Sequence, residues 1–120
     1  MKVFLIDDND IDLLISRKLL HKYDENIIVE QFKEPRQALK EIVRAPYDLP
    51  NVIFLDLNMP IMSGWDFLDS LPKMVQAPPI IYLLTSSLDD RDREKAKDYP
   101  IVQGYLTKPL SLPVIDTLLH

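Results

Sequence analysis

The stretch Val52-Ile53-Phe54-Leu55-Asp56-Leu57-Asn58-Met59-Pro60 places a carboxylate directly after a short run of apolar residues. Four consecutive apolar residues predict a strand that is covered on both faces, as strands are in parallel sheets. The sequence Asn58-Met59-Pro60 and the later pair Ser63-Gly64 are typical of a loop. Asp56 is therefore predicted to lie at the carboxyl end of a buried strand, where open parallel sheets bind their ligands.

The rest of the chain alternates short apolar runs with longer helical patterns. Four further runs predict strands, and they cover Val3–Ile6, Ile27–Phe32, Ile80–Leu84 and Ile101–Leu106. Helical spacing, capping residues and prolines predict about five helices, which begin near Ile11, Pro35, Phe67, Ser87 or Asp89, and Ser111. This alternation predicts an α/β fold in which a doubly wound parallel sheet carries helices on both faces.

Three of the predicted helices have distinctive sequence features. In the first helix the spacing of Ile11, Leu14, Ile15 and Leu19 predicts the apolar face. The last helix is predicted to be short, because only eleven residues follow Pro109 and Pro113 is among them. The polar fourth helix is predicted to run through Lys97, with Ser87 or Asp89 as its N-cap.

Composition limits the function classes. The 120 residues suit one domain, which we expect to span residues 1–120. The net charge is −5 and no basic stripe is visible, so we do not expect this domain to bind nucleic acid. The sequence has no apolar run long enough for a membrane span, no signal-peptide pattern and no cysteine, and together these absences favour a cytoplasmic location.

Polar side chains follow four of the five predicted strands. They are Asp7-Asp8 after the first, Asp56 after the third, Thr85-Ser86 after the fourth, and Thr107 with Lys108-Pro109 after the fifth. The carboxyl ends of parallel strands meet at one edge of the sheet, so three carboxylates, a hydroxyl and an ammonium should converge there.

That set of side chains predicts a metal site that carries out phosphoryl transfer. Clustered carboxylates repel one another, and the repulsion must be relieved by protonation or by a cation. An all-oxygen ligand set favours a hard ion such as Mg²⁺. Because Mg²⁺, Lys108 and Thr85 could neutralise the oxygens of a transferring phosphoryl group, Asp56 is the natural nucleophile.

The four motifs closely resemble the receiver domain of two-component response regulators, the family of the chemotaxis protein CheY. The matching residues are Asp7-Asp8, Asp56 through Gly64, Thr85-Ser86 and Tyr105 through Pro109, and the resemblance covers essentially the whole chain. The resemblance implies a flavodoxin-like fold, a three-layer sandwich with strand order 2-1-3-4-5, an order for which CheY is the standard example. It also implies that the chain is not an enzyme but a phosphorylated signalling domain, with slow self-catalysed phosphorylation and dephosphorylation.

The resemblance implies a role for each residue of the site. Asp56 is the phosphoacceptor. Asp8, Asp56 and the backbone carbonyl of Asn58 bind Mg²⁺ directly, whereas Asp7 acts mainly through water. Lys108 pairs with the phosphoryl group.

Further implications concern switching and partners. Thr85 moves toward the phosphoryl group, Tyr105 swings inward with it, and the Lys108-Pro109 bond is cis. Asn58 and Ser87 tune the rates. The phosphodonor is a sensor histidine kinase or a histidine phosphotransfer protein, and a downstream effector or a second copy of the domain reads the surface of the fourth helix, fifth strand and fifth helix.

Three rival functions share parts of this pattern. An FMN carrier of the flavodoxin type needs a phosphate-binding loop after the first strand, where Asp7-Asp8-Asn9-Asp10 would repel a phosphate. A hydrolase of the haloacid dehalogenase type needs a second aspartate at the position of Asn58. A receiver-like scaffold that is not phosphorylated usually lacks one of the acids or the lysine, and this chain has them all.

Overall fold

The computed structural model describes all 120 residues, Met1 to His120. Five strands alternate with five α-helices along the chain. The strands are β1 Lys2–Ile6, β2 Ile28–Phe32, β3 Val52–Leu55, β4 Ile80–Thr85 and β5 Val102–Thr107. The helices are α1 Asp10–Tyr23, α2 Pro35–Arg44, α3 Gly64–Ser70, α4 Asp90–Ala96 and α5 Leu112–Leu119, and a 3₁₀ turn, Leu71–Lys73, follows α3.

The strands form one parallel sheet in the order β2-β1-β3-β4-β5. This is the predicted order, and the flavodoxin-like fold class is confirmed. In this order β1 and β3 are direct neighbours, with Ile6 in register with Leu55. The residues that follow these two strands are therefore brought side by side at the carboxyl edge of the sheet.

Helices cover both faces of the sheet and create two apolar cores. The strands alternate their side chains, so Phe4 and Ile53 face one core whereas Leu5 and Phe54 face the other. The first core is completed mainly by α2 and α3, and the second by α1 and α5. None of the helices combines the length and the apolar character that a membrane span requires.

Helix α1 buries a different face from the one that its periodicity predicts. Ile11, Leu14 and Ile15 are exposed, whereas Leu13, Ser16 and Leu20 are buried. The prediction of the apolar face was therefore wrong, although the helix itself is present. Two apolar stripes lie next to each other on this helix, and the stripe that contains the small Ser16 is the one that packs against the sheet.

Several predicted boundaries also shift. Strand β2 begins one residue later than predicted, and β5 runs from Val102 to Thr107. Helix α4 ends at Ala96, with Asp89 as its N-cap, and the alternative cap Ser87 is wrong. The hydroxyl of Ser87 instead donates a hydrogen bond to Asp92, at 2.7 Å, and so ties the preceding loop to the helix. The short α5 is confirmed at eight residues.

Gly64 begins α3 and is pressed against the end of β3. A Cβ atom at this position would lie 2.4 Å from the carbonyl oxygen of Asp56. Two non-bonded atoms cannot be this close, so the backbone would have to move. At Gly104, in β5, the nearest atom to an added Cβ would be a side-chain carbon of Tyr82, at 3.1 Å. The two glycines therefore differ in what would have to move.

We expect Gly64→Ala to lower the free energy of unfolding by about 2–4 kcal/mol, because it forces a backbone clash beside Asp56. The matched variant Gly104→Ala should change it by less than about 1 kcal/mol, since a ring edge can shift and alanine suits a strand better than glycine. Urea unfolding followed by circular dichroism measures both values. Equal losses in the two variants would contradict this account of Gly64.

Candidate functional site

The site begins with two aspartates that end neighbouring strands. Asp7 follows β1, and its backbone N–H donates to the carbonyl of Phe32 at 3.0 Å. Asp56 follows β3, and its backbone N–H donates to the carbonyl of Ile6 at 2.9 Å. Both residues are thus held by sheet hydrogen bonds one residue beyond their strands, and both are buried, each with 7% of its surface exposed.

Asp8 completes a cluster of three carboxylates. One carboxylate oxygen from each of Asp7, Asp8 and Asp56 lies within 4.8 Å of the other two. We call these three residues the acidic trio. Asp8 is exposed, so the trio opens to solvent on that side. The structure brings together the three acids that the strand ends predict, and all of their ligand atoms are oxygens, which Mg²⁺ prefers.

Lys108 brings a positive charge to the acidic trio. Its backbone N–H donates to the carbonyl of Thr85 at 2.9 Å, which ties the loop after β5 to the end of β4. Its ammonium lies 2.6 Å from Asp7 Oδ2, 2.9 Å from Asp12 Oδ2 and 3.2 Å from Asp56 Oδ2. The lysine side chain is only 10% exposed, so these ion pairs are shielded from solvent.

Asp12 is a member of the site that the sequence analysis missed. It lies in the first turn of α1, where Asn9 Oδ1 accepts hydrogen bonds from the N–H groups of Ile11 and Asp12, at 3.0 Å each. The N–H of Asn9 in turn donates to Asp7 Oδ1 at 2.9 Å. No local pattern in the sequence indicates this contact, because Asp12 and Lys108 are 96 residues apart in the chain.

The carboxylates outnumber the ammonium, and the pKa values reflect this. Burial raises the pKa of Asp7, as does the charge of Asp56, and the hydrogen bonds from Lys108 and Asn9 offset the rise only in part. Burial alone would lower the pKa of Lys108, but hydrogen bonds to Asp7 and Asp12 and the charge of Asp56 outweigh it, so that pKa is raised. The ammonium is therefore charged at neutral pH, and the site has excess negative charge.

Thr85 is the last residue of β4 and is fully buried. Its hydroxyl oxygen accepts a hydrogen bond from the N–H of Ser87 at 3.1 Å, which closes a local turn. The hydroxyl group makes no hydrogen bond to Asp56 or Lys108. The resting partner of Thr85 is thus the loop that leads into α4.

Tyr105 lies on β5 and is half-buried. Its hydroxyl group is buried but has no hydrogen-bond partner. The guanidinium of Arg93, from α4, lies 4.6 Å from the centre of the tyrosine ring, within the range of a cation–π interaction. Burial raises the pKa of the phenol. The tyrosine therefore links α4 to β5 and leaves one buried polar group unsatisfied.

The loop after β3 has a conformation that the sequence did not indicate. Ile61 has a φ of 69°, which is strained for a β-branched residue. The N–H of Met62 donates to the carbonyl of Pro60 at 2.8 Å, so Ile61 is the centre of a three-residue turn. The side chain of Ile61 is exposed. The exposed Asn58 lies earlier in the same loop, two residues after Asp56.

The Lys108–Pro109 peptide bond is cis. Ser87 is half-buried and lies two residues after Thr85. Neither side chain makes a hydrogen bond to the acidic trio; the Ser87 hydroxyl bonds instead to Asp92 and to the N–H of Asp89. The roles of Asn58 and Ser87 in setting rates stay predictions.

Comparisons with known proteins agree with this fold. A sequence family described as the response regulator receiver domain matches residues 3–120. A crystal structure of a two-component response regulator from Cytophaga hutchinsonii superposes with a TM-score of 0.87 at 29% identity, covering 98% of this chain and 92% of that one.

Two curated relatives are much longer than this chain. The aerobic respiration control sensor protein ArcB of Escherichia coli is 26% identical over 99% of the chain, which spans 15% of that protein. A protein-glutamate methylesterase/protein-glutamine glutaminase of Methanospirillum hungatei is 24% identical over 88% of the chain, which spans 29% of it. In both relatives, the matching region is therefore a small part of a larger protein.

Replacing the ammonium of Lys108 should destabilise the protein strongly. Lys108→Met keeps the length of the side chain but leaves buried carboxylates without their cation, so we expect a loss of about 3 kcal/mol in the free energy of unfolding. The control is Lys33→Met, which removes an exposed ion pair with Asp10 and should cost less than about 1 kcal/mol. Chemical denaturation at neutral pH without divalent cations compares them, and similar losses would contradict the central position of Lys108.

Proposed function

The chain belongs to the response regulator receiver family, and we propose that it accepts a phosphoryl group on Asp56 and relays that event through a change of shape. The observation that carries the proposal is the contact of the Lys108 ammonium with Asp56, 3.2 Å away inside the acidic trio. In this arrangement a nucleophile, a set of cation ligands and a positive charge meet at one strand end.

The carboxylate of Asp56 is oriented for attack. Its Oδ1 accepts a hydrogen bond from the N–H of Leu57 at 2.8 Å, and its Oδ2 faces Lys108. Both oxygens are therefore held, and the side chain does not need to be ordered when the donor arrives. One of these oxygens forms the new bond to phosphorus as the bond to the leaving group breaks, and the leaving group keeps the electron pair.

The acidic trio fits a magnesium ion. Its ligand atoms are three carboxylate oxygens within 4.8 Å of one another, and the raised pKa of Asp7 reflects burial and the neighbouring negative charge of Asp56. We assign Asp8, Asp56 and the backbone carbonyl of Asn58 as direct ligands and Asp7 as a residue that acts through water. When bound, the ion would neutralise these carboxylates and oxygens of the transferring group.

Thr85 and Tyr105 are the proposed switch. The Thr85 hydroxyl oxygen now accepts a hydrogen bond from the Ser87 N–H, and a phosphoryl oxygen would offer the hydroxyl proton a charged acceptor. Movement of Thr85 toward Asp56 would vacate space that the ring of Tyr105 can fill. The hydroxyl of Tyr105 is buried without a hydrogen-bond partner, so its present position is not a favourable one. The surface that changes would be formed by α4, β5 and α5.

The proposed partners follow from this chemistry. A phosphohistidine on a sensor histidine kinase or on a histidine phosphotransfer protein would supply the phosphoryl group. A downstream effector, or a second copy of the domain, would read the changed surface. We propose that residues 1–120 form one receiver domain, with the phosphorylation signal as its output and no catalytic turnover of its own.

The first test of the function is the site of phosphorylation. Wild-type protein incubated with acetyl phosphate and Mg²⁺ should gain the mass of one phosphoryl group, and Asp56→Asn should gain none. Asp69→Asn, which changes an aspartate outside the site in the same way, should behave as wild type. Intact mass spectrometry measures all three, and full modification of Asp56→Asn would sink the proposal. An unmodified wild type would favour the scaffold that is not phosphorylated.

The second test concerns magnesium. At a concentration about ten times its Kd, Mg²⁺ should add about 1.4 kcal/mol to the free energy of unfolding, which raises the melting temperature by a few degrees. Asp8→Asn should remove this effect with little damage to the fold, since Asp8 is exposed. Thermal melting with and without Mg²⁺ measures it. Equal magnesium shifts in wild type and Asp8→Asn would show that the ion binds elsewhere.

The third test follows the switch. Beryllofluoride, a phosphoryl mimic, should shift the ring resonances of Tyr105 in the wild-type protein. The shift should be lost in Thr85→Ala and kept in Thr85→Ser, because only the hydroxyl is needed. Tyr47, which is exposed and lies outside the site, is the internal control. Tyr105 resonances that do not respond to beryllofluoride in wild type would refute the proposed coupling.

A further inference from the structure

The ammonium of Lys108 is shared among three carboxylates, and one of them lies outside the acidic trio. Asp12 Oδ2 is 2.9 Å away, closer than Asp56 Oδ2 at 3.2 Å. The ammonium donates hydrogen bonds to Asp12 and Asp56 and also lies 2.6 Å from Asp7 in an ion pair. A further anion would therefore have to compete with these contacts for the three N–H donors of the ammonium.

The position of Asp12 is set by the residues that build the site. Asn9 caps α1 and accepts a hydrogen bond from the N–H of Asp12, and Asn9 is itself bonded to Asp7. The side chain of Asp12 is one-third exposed, whereas those of Asp7 and Asp56 are buried. Asp12 is therefore held close to Lys108 but is the most solvent-accessible of its three partners, and so the easiest to release.

From this geometry we propose that Asp12 is a positioning residue, which holds Lys108 in the resting protein and must release it when a phosphoryl group reaches Asp56. The inference rests on the function proposed above. Of the three contacts of Lys108, the one with Asp12 is the contact that can be given up. Asp7 lies nearest to the ammonium, and Asp56 itself carries the new group.

Asp12 also adds to the negative charge that an incoming phosphoryl group meets. The site holds four carboxylates, namely the acidic trio and Asp12, and one ammonium, so negative charge would remain in excess even beside a divalent cation. With acetyl phosphate as donor, an oxygen of Asp56 bonds to phosphorus and acetate leaves with the electron pair of the broken bond. Asp12 opposes this step by repulsion and by its competition for Lys108.

The variant Asp12→Asn tests this role, because it keeps an oxygen acceptor of the same shape and removes only the charge. We expect phosphorylation by acetyl phosphate in Mg²⁺ to become about threefold to tenfold faster, which corresponds to about 0.7–1.4 kcal/mol of barrier. Asp10→Asn removes the same charge from the same turn of α1, but Asp10 pairs with Lys33. The phosphorylation rate of Asp10→Asn should stay within about twofold of the wild-type rate, because an exposed charge is screened by solvent and salt.

A spectroscopic measurement separates positioning from a general effect on the fold. The ¹⁵N signal of the Lys108 ammonium, assigned by its loss in Lys108→Arg, should shift in unphosphorylated Asp12→Asn and not in Asp10→Asn. Beryllofluoride should shift the same signal in wild type. An unchanged signal in Asp12→Asn, or a rate no faster than that of Asp10→Asn, overturns the inference.

The outcomes also distinguish this inference from the proposed function. If all three proteins are phosphorylated at equal rates, the function stands and the role of Asp12 is refuted. If wild type accepts no phosphoryl group on Asp56, the function fails and the inference, which depends on it, fails with it.

Discussion

The ammonium of Lys108 meets three carboxylates at the carboxyl edge of the sheet, and the organisation of the site follows from that imbalance of charge. One cation cannot neutralise Asp7, Asp12 and Asp56 together with the neighbouring Asp8. Burial, together with the charge of Asp56, raises the pKa of Asp7, and the surrounding carboxylates raise the pKa of Lys108 although burial opposes this. The excess negative charge also favours the binding of a cation. When that cation or a phosphoryl group binds, the contact between Lys108 and Asp56 is expected to rearrange.

The fold creates this imbalance at a cost that two apolar cores offset. The order β2-β1-β3-β4-β5 makes β1 and β3 neighbours, and these strands directly precede Asp7 and Asp56. Because both strands are hydrogen-bonded and buried in the core, the two acids cannot move apart. The close approach of Gly64 to the carbonyl of Asp56 fixes the loop that follows. Each of these constraints acts on backbone position, so the acids stay together although they repel one another.

The alternation of elements was sufficient to predict a doubly wound parallel sheet and the acidic trio, whereas the strand order came from the family resemblance. Buried parallel strands appear as continuous apolar runs, and the residues that follow them meet at one edge whatever the details of packing. These predictions need only the order of elements along the chain. The same reasoning located Lys108, because the fifth strand ends at that edge as well.

Features that depend on side-chain packing could not be predicted in the same way. The two apolar stripes of α1 differ little in sequence, and contacts with the sheet decide that Leu13 and not Ile11 is buried. The contact between Asp12 and Lys108 joins residues that are far apart in the chain, so local patterns contain no record of the pair. Ile61 has a positive φ, which β-branched residues disfavour, so the local sequence does not indicate this turn. The surrounding structure must stabilise the strained conformation.

The central claim is that the chemistry occurs at Asp56, and reductive trapping of the phosphorylated protein tests it most directly. Borohydride converts an acyl phosphate on aspartate into homoserine, which peptide mass spectrometry can assign to a single position. We predict homoserine at position 56 and at no other aspartate, in protein treated first with acetyl phosphate and Mg²⁺. Homoserine at position 7, 8 or 12 with an unmodified position 56, or a phosphoryl group that survives on a serine or histidine, would contradict the account.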